Sequence, residues 1–194
     1  MLNQRYKSLA SRNLASEFAA TPAAWHAYHA LSEKNEESFP TDEIPRNVVI
    51  RKLGELRTRR AKSVVDLGCG KAWIARHFLD DPRFAFTNFD HVACNALVAK
   101  CDISLLPLED DSTEIAILCL AMWGSNCASY VKEAYRVLET HGLLYVVEPT
   151  RRWLDESGGG DVPIHRLRAL LERCGFKIVE ERIEKFSLFV CCKT

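Results

Sequence analysis

From Ser63 onward, short apolar runs alternate with amphipathic stretches, the rhythm expected when helices pack on a largely parallel sheet. The apolar runs predict strands at Val64–Leu67, Phe84–Phe89, Leu97–Lys100, Ile115–Leu120, Leu143–Val147, Lys177–Ile183 and Phe186–Cys192. Helical spacing predicts helices at Ala72–Leu79, Ala128–Leu138 and Ile164–Cys174. Too few residues separate the last two strands for a crossover helix, so they should form an antiparallel hairpin at the end of an otherwise parallel seven-stranded sheet. Ahead of Ser63 the pattern is helical. Ile44, Val48, Val49, Leu53 and Leu56 recur on one helix face after Pro45, and a second helix should start at Thr21-Pro22, with the threonine as its cap. The expected architecture is therefore α/β, with residues 1–62 as a helical segment packed on a core domain of residues 63–194.

With 194 residues and 47% hydrophobic content, the chain can build one core and needs no second domain. Its 26 basic and 26 acidic residues cancel, so any attraction to a polyanion must be local. The one basic run is Arg51, Lys52, Arg57, Arg59, Arg60 and Lys62, either a solvated helix face or a phosphate contact. The eight cysteines include no C-x-x-C pair, which argues against a metal site, and several sit in apolar runs as reduced thiols would. The longest apolar run, Ile115–Trp123, is too short to cross a bilayer, so a soluble intracellular protein, acting as a monomer without metal or membrane, is expected.

Val64-Val65-Asp66-Leu67-Gly68-Cys69-Gly70 carries the candidate chemistry, a buried strand running into a glycine turn that opens a helix. Without side chains at Gly68 and Gly70 the backbone can turn sharply and approach a ligand closely. G-x-G without a third glycine favours S-adenosylmethionine over a dinucleotide. Asp90 ends the next predicted strand about 20 residues beyond Gly70, the interval at which a βαβ unit places an acid against ribose hydroxyls. Gly158-Gly159-Gly160 reads as a spacer loop.

Several longer strings are more specific. Ala27-Tyr28-His29, Asp66–Gly70, Phe89-Asp90, Cys101-Asp102, Leu118–Asn126, Glu133–Leu138 and Gly175–Val179 together resemble the nucleomethylin (ribosomal RNA-processing protein 8) family, which N1-methylates an adenine of large-subunit ribosomal RNA. The resemblance runs from about Thr21 to the C-terminus. It implies a Rossmann-like class I methyltransferase fold, S-adenosylmethionine as cofactor with S-adenosylhomocysteine as product, and ribosomal RNA or the pre-ribosome as partner in the nucleus and nucleolus. It also implies cofactor contacts from His29, Gly68, Gly70, Asp90, Asp102, Ile103 and Cys119. Asp102 would accept the adenine amino group and Ile103 would cover the purine face. The sequence departs from the family pattern at Ala30–Pro40 and at Lys71, where the family more often carries an acid.

On the substrate side, Trp123 is a candidate to stack on the target base and Asn126 to read its edge or to cap the following helix. Glu148 is a candidate to face the charge that methylation creates on the base, and Arg151 and Arg152 to meet the RNA backbone. Two other readings use the same glycine turn: a small-molecule methyltransferase, and a non-catalytic cofactor-binding module in a chromatin or ribosome-assembly complex.

Overall fold

The computed structural model describes residue 6, residues 8–155 and residues 164–194. Ahead of the sheet the described residues include α1 (Ser11–Ala20), α2 (Pro22–Glu36) and α3 (Pro45–Glu55). Both α2 and α3 start on a proline, whose missing N–H costs nothing in a first turn. Thr21 holds the cap position of α2, but its side chain makes no capping hydrogen bond, so proline rather than the expected threonine cap sets this start.

The alternating region then runs β1 (Lys62–Leu67), α4 (Trp73–His77), β2 (Phe84–Asp90), β3 (Val98–Lys100), β4 (Thr113–Cys119), α5 (Cys127–Val137) and β5 (Leu138–Pro149). A small ribbon, β6 (Leu154–Asp155) and β7 (Ile164–His165), leads into α6 (Arg166–Arg173), β8 (Phe176–Ile183) and β9 (Phe186–Lys193). The main sheet has seven strands in the order β3-β2-β1-β4-β5-β9-β8. Only β9 runs against the rest, pairing antiparallel with both β5 and β8. The predicted sheet and terminal hairpin are both present.

Period-two alternation assigns each strand's side chains to two cores. Ala116 and Leu118 of β4 join Leu144 and Val146 of β5 under α5 and α6, whereas Ile115, Ile117, Tyr145 and Val147 face α3 and α4. A third cluster of Tyr6, Leu14, Phe18 and Trp25 lies within the N-terminal helices, with Tyr28, Val92 and Cys94 packed against it. These helices therefore have an apolar interior of their own and sit against the loop after β2.

Two of the boundaries that differ from expectation are set by strand pairing. The strand predicted at Leu143 starts at Leu138, because Leu138 pairs with Thr113 before the register shifts and Leu143 pairs with Ile115; His141 takes a φ of 67° in between. The helix predicted from Ile164 starts at Arg166, since Ile164 and His165 pair with Asp155 and Leu154 in the ribbon, which was not anticipated. Gly158-Gly159-Gly160 falls outside the described residues. All eight cysteines are free thiols. Among the described residues no helix is long and apolar enough to cross a membrane, and no cluster of histidine, cysteine and carboxylate side chains is arranged to hold a metal.

Candidate cofactor site and substrate cleft

Strand order reverses at β1: the chain passes to β2 and β3 on one side, then returns to β4 on the other. The carboxyl ends of β1 and β4 thus frame the crevice in which open α/β sheets bind ligands. Gly68 follows β1 with a φ of 73°, and a Cβ there would lie 2.8 Å from Ala121 Cβ beyond β4. Gly70 has a φ of 57°, and its Cβ would lie 2.8 Å from His29 Cε1 on α2. The turn is therefore closed from both sides, and glycine is required for conformation and for space. Leu120, just past β4, has a φ of 55°, an uncommon setting for a leucine and one that no sequence pattern signals.

Three adjoining cavities open along this edge. The first is lined by Gly68, Asp90, His91, Ile103 and Trp123, with Trp25, Tyr28 and His29 of α2 closing it. The second holds Asp66, Cys69, Gly70, Lys71 and Cys119 around the glycine turn, with His29, Glu33 and Arg46 opposite. The third, a cleft of about 490 Å³, runs outward past Trp123, Glu148, Arg151, Arg152 and Phe186. Tyr28 and Leu120 line all three and form their junction.

Asp90 is buried at the end of β2. Its Oδ2 accepts from the Gly70 amide at 2.9 Å, which ties the acid to the turn, and its Oδ1 accepts from Trp25 Nε1 at 2.8 Å. The Trp25 contact escaped sequence reading. Its signal was available, since Trp25 lies one helical turn before His29 and their rings stand 3.9 Å apart. Burial lowers the His29 pKa against the opposing pull of Asp90 and Glu33, so the ring over Gly70 favours its neutral form. Glu33 receives Lys71 Nζ at 2.7 Å and Trp73 Nε1 at 3.1 Å, pinning α2 to the residues after the turn. Lys71, where an acid was the family expectation, thus serves as a clamp.

Asp66 belongs to the glycine-turn motif, though the motif alone assigns it no contact. Its carboxyl is buried in the second cavity, and desolvation with the neighbouring Asp90 charge pushes it up to about 7. Cys119 ends β4 in the same cavity, its thiol pKa raised by burial. Ile103 is buried in the first cavity, whereas Asp102 lies two residues past β3 on a groove under α1. Asp102 Oδ1 accepts from Ser11 Oγ and from the Ser104 amide and hydroxyl, and these bonds outweigh burial to hold its pKa low. No described residue bonds its Oδ2.

On the substrate side, Glu148 is 1% exposed at the end of β5, where its Oε1 accepts from the Met122 amide at 2.9 Å. Burial pushes its pKa up to about 6, partly offset by that amide and by Arg152. The Arg152 guanidinium lies 5.1 Å from the centroids of both Trp123 and Trp153, and its Nη1 is 3.6 Å from Glu148 Oε2. That nitrogen is buried and has no hydrogen-bond acceptor among the described residues. Trp123 meets Tyr28 edge to face at 5.8 Å and donates its Nε1 hydrogen to the Leu120 carbonyl. Asn126 stands apart from this cleft. It occupies the N-cap position of α5 without a side-chain capping bond, and its Oδ1 instead accepts from the Ser11 amide and the Tyr130 hydroxyl, joining α1 to α5.

The basic run before β1 lies at the opposite edge of the sheet. Arg60 and Lys62 both pair with the buried Glu114, and Lys52 pairs with Glu55 and Glu180. Half of that run is thus occupied in holding the far edge together.

Comparison with known proteins extends this geometry. The chain is 34% identical over 81% of its length to the 25S rRNA (adenine(645)-N(1))-methyltransferase of Schizosaccharomyces pombe, covering 51% of that protein. It is 32% identical over 97% of its length to ribosomal RNA-processing protein 8 of Dictyostelium discoideum, covering 45% of it. The chain spans about half the length of these curated relatives. Among solved structures, a 1,6-didemethyltoxoflavin-N1-methyltransferase of Burkholderia thailandensis, bound to its substrate and S-adenosylhomocysteine, matches 93% of this chain and 87% of its own, with a TM-score of 0.63 at 16% identity, a likeness of fold. The family model described as Hypothetical methyltransferase matches residues 1–194, so glycine turn, strand-end acid and crevice are those of a chain that belongs to this methyltransferase family.

Proposed function

We propose that this chain is an S-adenosylmethionine-dependent methyltransferase acting on N1 of an adenine in large-subunit ribosomal RNA, and hence in the nucleolus. The observation that carries the reading is the junction at Tyr28 and Leu120. There the glycine-turn cavities adjoin a cleft furnished with an aromatic ring, a guanidinium nitrogen without a hydrogen-bond acceptor among the described residues and a buried carboxylate. The cofactor fits the residues present: Gly68 and Gly70 leave room that a Cβ would fill, and the buried His91 Nδ1 in the first cavity lacks a partner. Asp90 would hold the ribose, Ile103 the purine face, and Asp66, His29 and Cys119 the amino-acid end, whereas Asp102, on the groove under α1, lines neither glycine-turn cavity.

When bound, the cofactor supplies a sulfonium methyl whose carbon–sulfur bond breaks, leaving its electron pair on sulfur, as the N1 lone pair bonds the carbon. The protein's work is alignment, which can contribute on the order of 7 to 11 kcal/mol. Trp123 would hold the base face at the junction, and Arg152 Nη1 would donate to an acceptor on the base or its backbone. N1 carries an in-plane lone pair, so no general base is needed. The adenine becomes cationic, and the buried Glu148, ionised above its pKa of about 6, would face that charge. Asn126 holds α1, and with it the α2 wall of the site, against α5.

The test is N1-methyladenosine in purified large-subunit rRNA, measured by nucleoside mass spectrometry in cells depleted of this protein and rescued with wild type or Asp90→Ala. Loss restored only by wild type supports the reading. Unchanged methylation on depletion refutes it and leaves a small-molecule substrate or a non-catalytic binding role. Relatives named for rRNA methylation and processing support the choice of substrate.

A further inference from the structure

Beyond Glu148 the cleft continues to a second aromatic station that the reading above does not use. Phe186, the first residue of β9, pairs across the sheet with Pro149, which places it beside the carboxylate end of β5. Phe39, from the turn after α2, meets Phe186 edge to face with ring centroids 5.8 Å apart. Both rings are half-buried and line the same cleft as Trp123 and Arg152. Lys185 places its Nζ 3.5 Å from the Phe39 centroid, and its carbonyl accepts from the Thr150 amide, so its main chain is tied to the segment carrying Arg151 and Arg152. Lys185 and Arg151 are exposed, and among the described residues neither has an acidic partner.

Paired aromatic rings flanked by unneutralised cations, continuous with a pocket for one base, are what an unpaired polynucleotide strand requires: a face for a base and charge for its phosphates. We infer that Phe39 and Phe186, with Lys185 and Arg151, seat the nucleotide adjacent to the target in an unpaired RNA strand. The inference rests on the RNA reading above and deepens it. The target base enters at Trp123, its neighbour stacks at the Phe39–Phe186 corner, and the phosphate between them passes Arg151 and Lys185. Two anchored nucleotides draw the strand across the cleft and hold it splayed.

The probe is a fluorescein-labelled oligouridine with one central adenosine, titrated by anisotropy against the full chain saturated with S-adenosylhomocysteine. Phe39→Ala should raise Kd about 5- to 150-fold, the loss of one base–aromatic stack, while Phe39→Tyr keeps near-wild-type affinity. Lys185→Ala should reduce the slope of log Kd against log salt by about 0.7, and Phe39→Ala should leave that slope unchanged. A probe made abasic at the nucleotide on one side of the adenosine should bind wild type as weakly as Phe39→Ala binds the intact probe, with no further loss when the two are combined. S-adenosylhomocysteine affinity unchanged from wild type shows that the variant is folded. Phe39→Ala binding the intact probe as tightly as wild type overturns the subsite, as does full additivity with both abasic probes. If Asp90→Ala abolishes rRNA methylation while Phe39→Ala binds normally, only the subsite fails; a wild type that binds no RNA overturns the subsite together with the RNA reading.

Discussion

Asp66→Asn should make the protein more stable in a pH-dependent way. The Asp66 carboxyl is 2% exposed, and burial with the Asp90 charge raises its pKa from 3.8 to about 7. Between those values the native state holds a proton that the unfolded chain has released, so stability falls as pH rises through that window. The separation corresponds to about 4 kcal/mol, absent below about pH 3.8 and complete above about pH 7. Asparagine keeps the shape and removes the titration. Urea unfolding of both proteins across this range should show the variant gaining on wild type by about 4 kcal/mol from about pH 4 to about pH 8. Glu148, raised from 4.5 to about 6, contributes the same sign to both and cancels in the difference. A difference that moves by less than about 1 kcal/mol over that interval would falsify the claim that Asp66 is desolvated at the crevice.

Other perturbations follow from the same contacts. Asp90→Ala removes the acceptor shared by the Gly70 amide and Trp25 and should weaken S-adenosylhomocysteine binding by about 1.5 to 3 kcal/mol, roughly 12- to 150-fold by calorimetry; unchanged affinity removes Asp90 from the site. Gly70→Ala places a Cβ 2.8 Å from His29 Cε1 at a positive φ, so the melting temperature should fall. His29→Ala in the same chain should recover the clash but not the backbone cost of about 1 to 2 kcal/mol, and complete recovery would show that φ costs nothing here. Asn126→Ala leaves the Ser11 amide and the Tyr130 hydroxyl without their shared acceptor, for a loss of about 1 to 3 kcal/mol and faster proteolysis ahead of α2. Cleavage at the wild-type rate would mean that α1 is held by its apolar cluster alone.

The sequence by itself determined the sheet and the glycine turn with its strand-end acid, the motif-bearing part of the candidate site. Short apolar runs marked the strands, and the short link before Phe186 left only a hairpin. Gly68, Gly70 and Asp90 were legible because the backbone conformation and the strand-end position are local properties. What the sequence left open depends on contacts between residues far apart in the chain. No local pattern tells that Trp25 bonds Asp90 across 65 positions, that Asn126 bonds Ser11, or that Arg60 and Lys62 both pair with Glu114 at the far edge. The β6–β7 ribbon was missed because pairs of two residues are too short to show a period. Nor does spacing reveal that Phe39, Lys185 and Phe186 meet, or that Asp66 and Glu148 are desolvated. Burial and proximity are set when helices and sheet pack, and only the tertiary structure decided them.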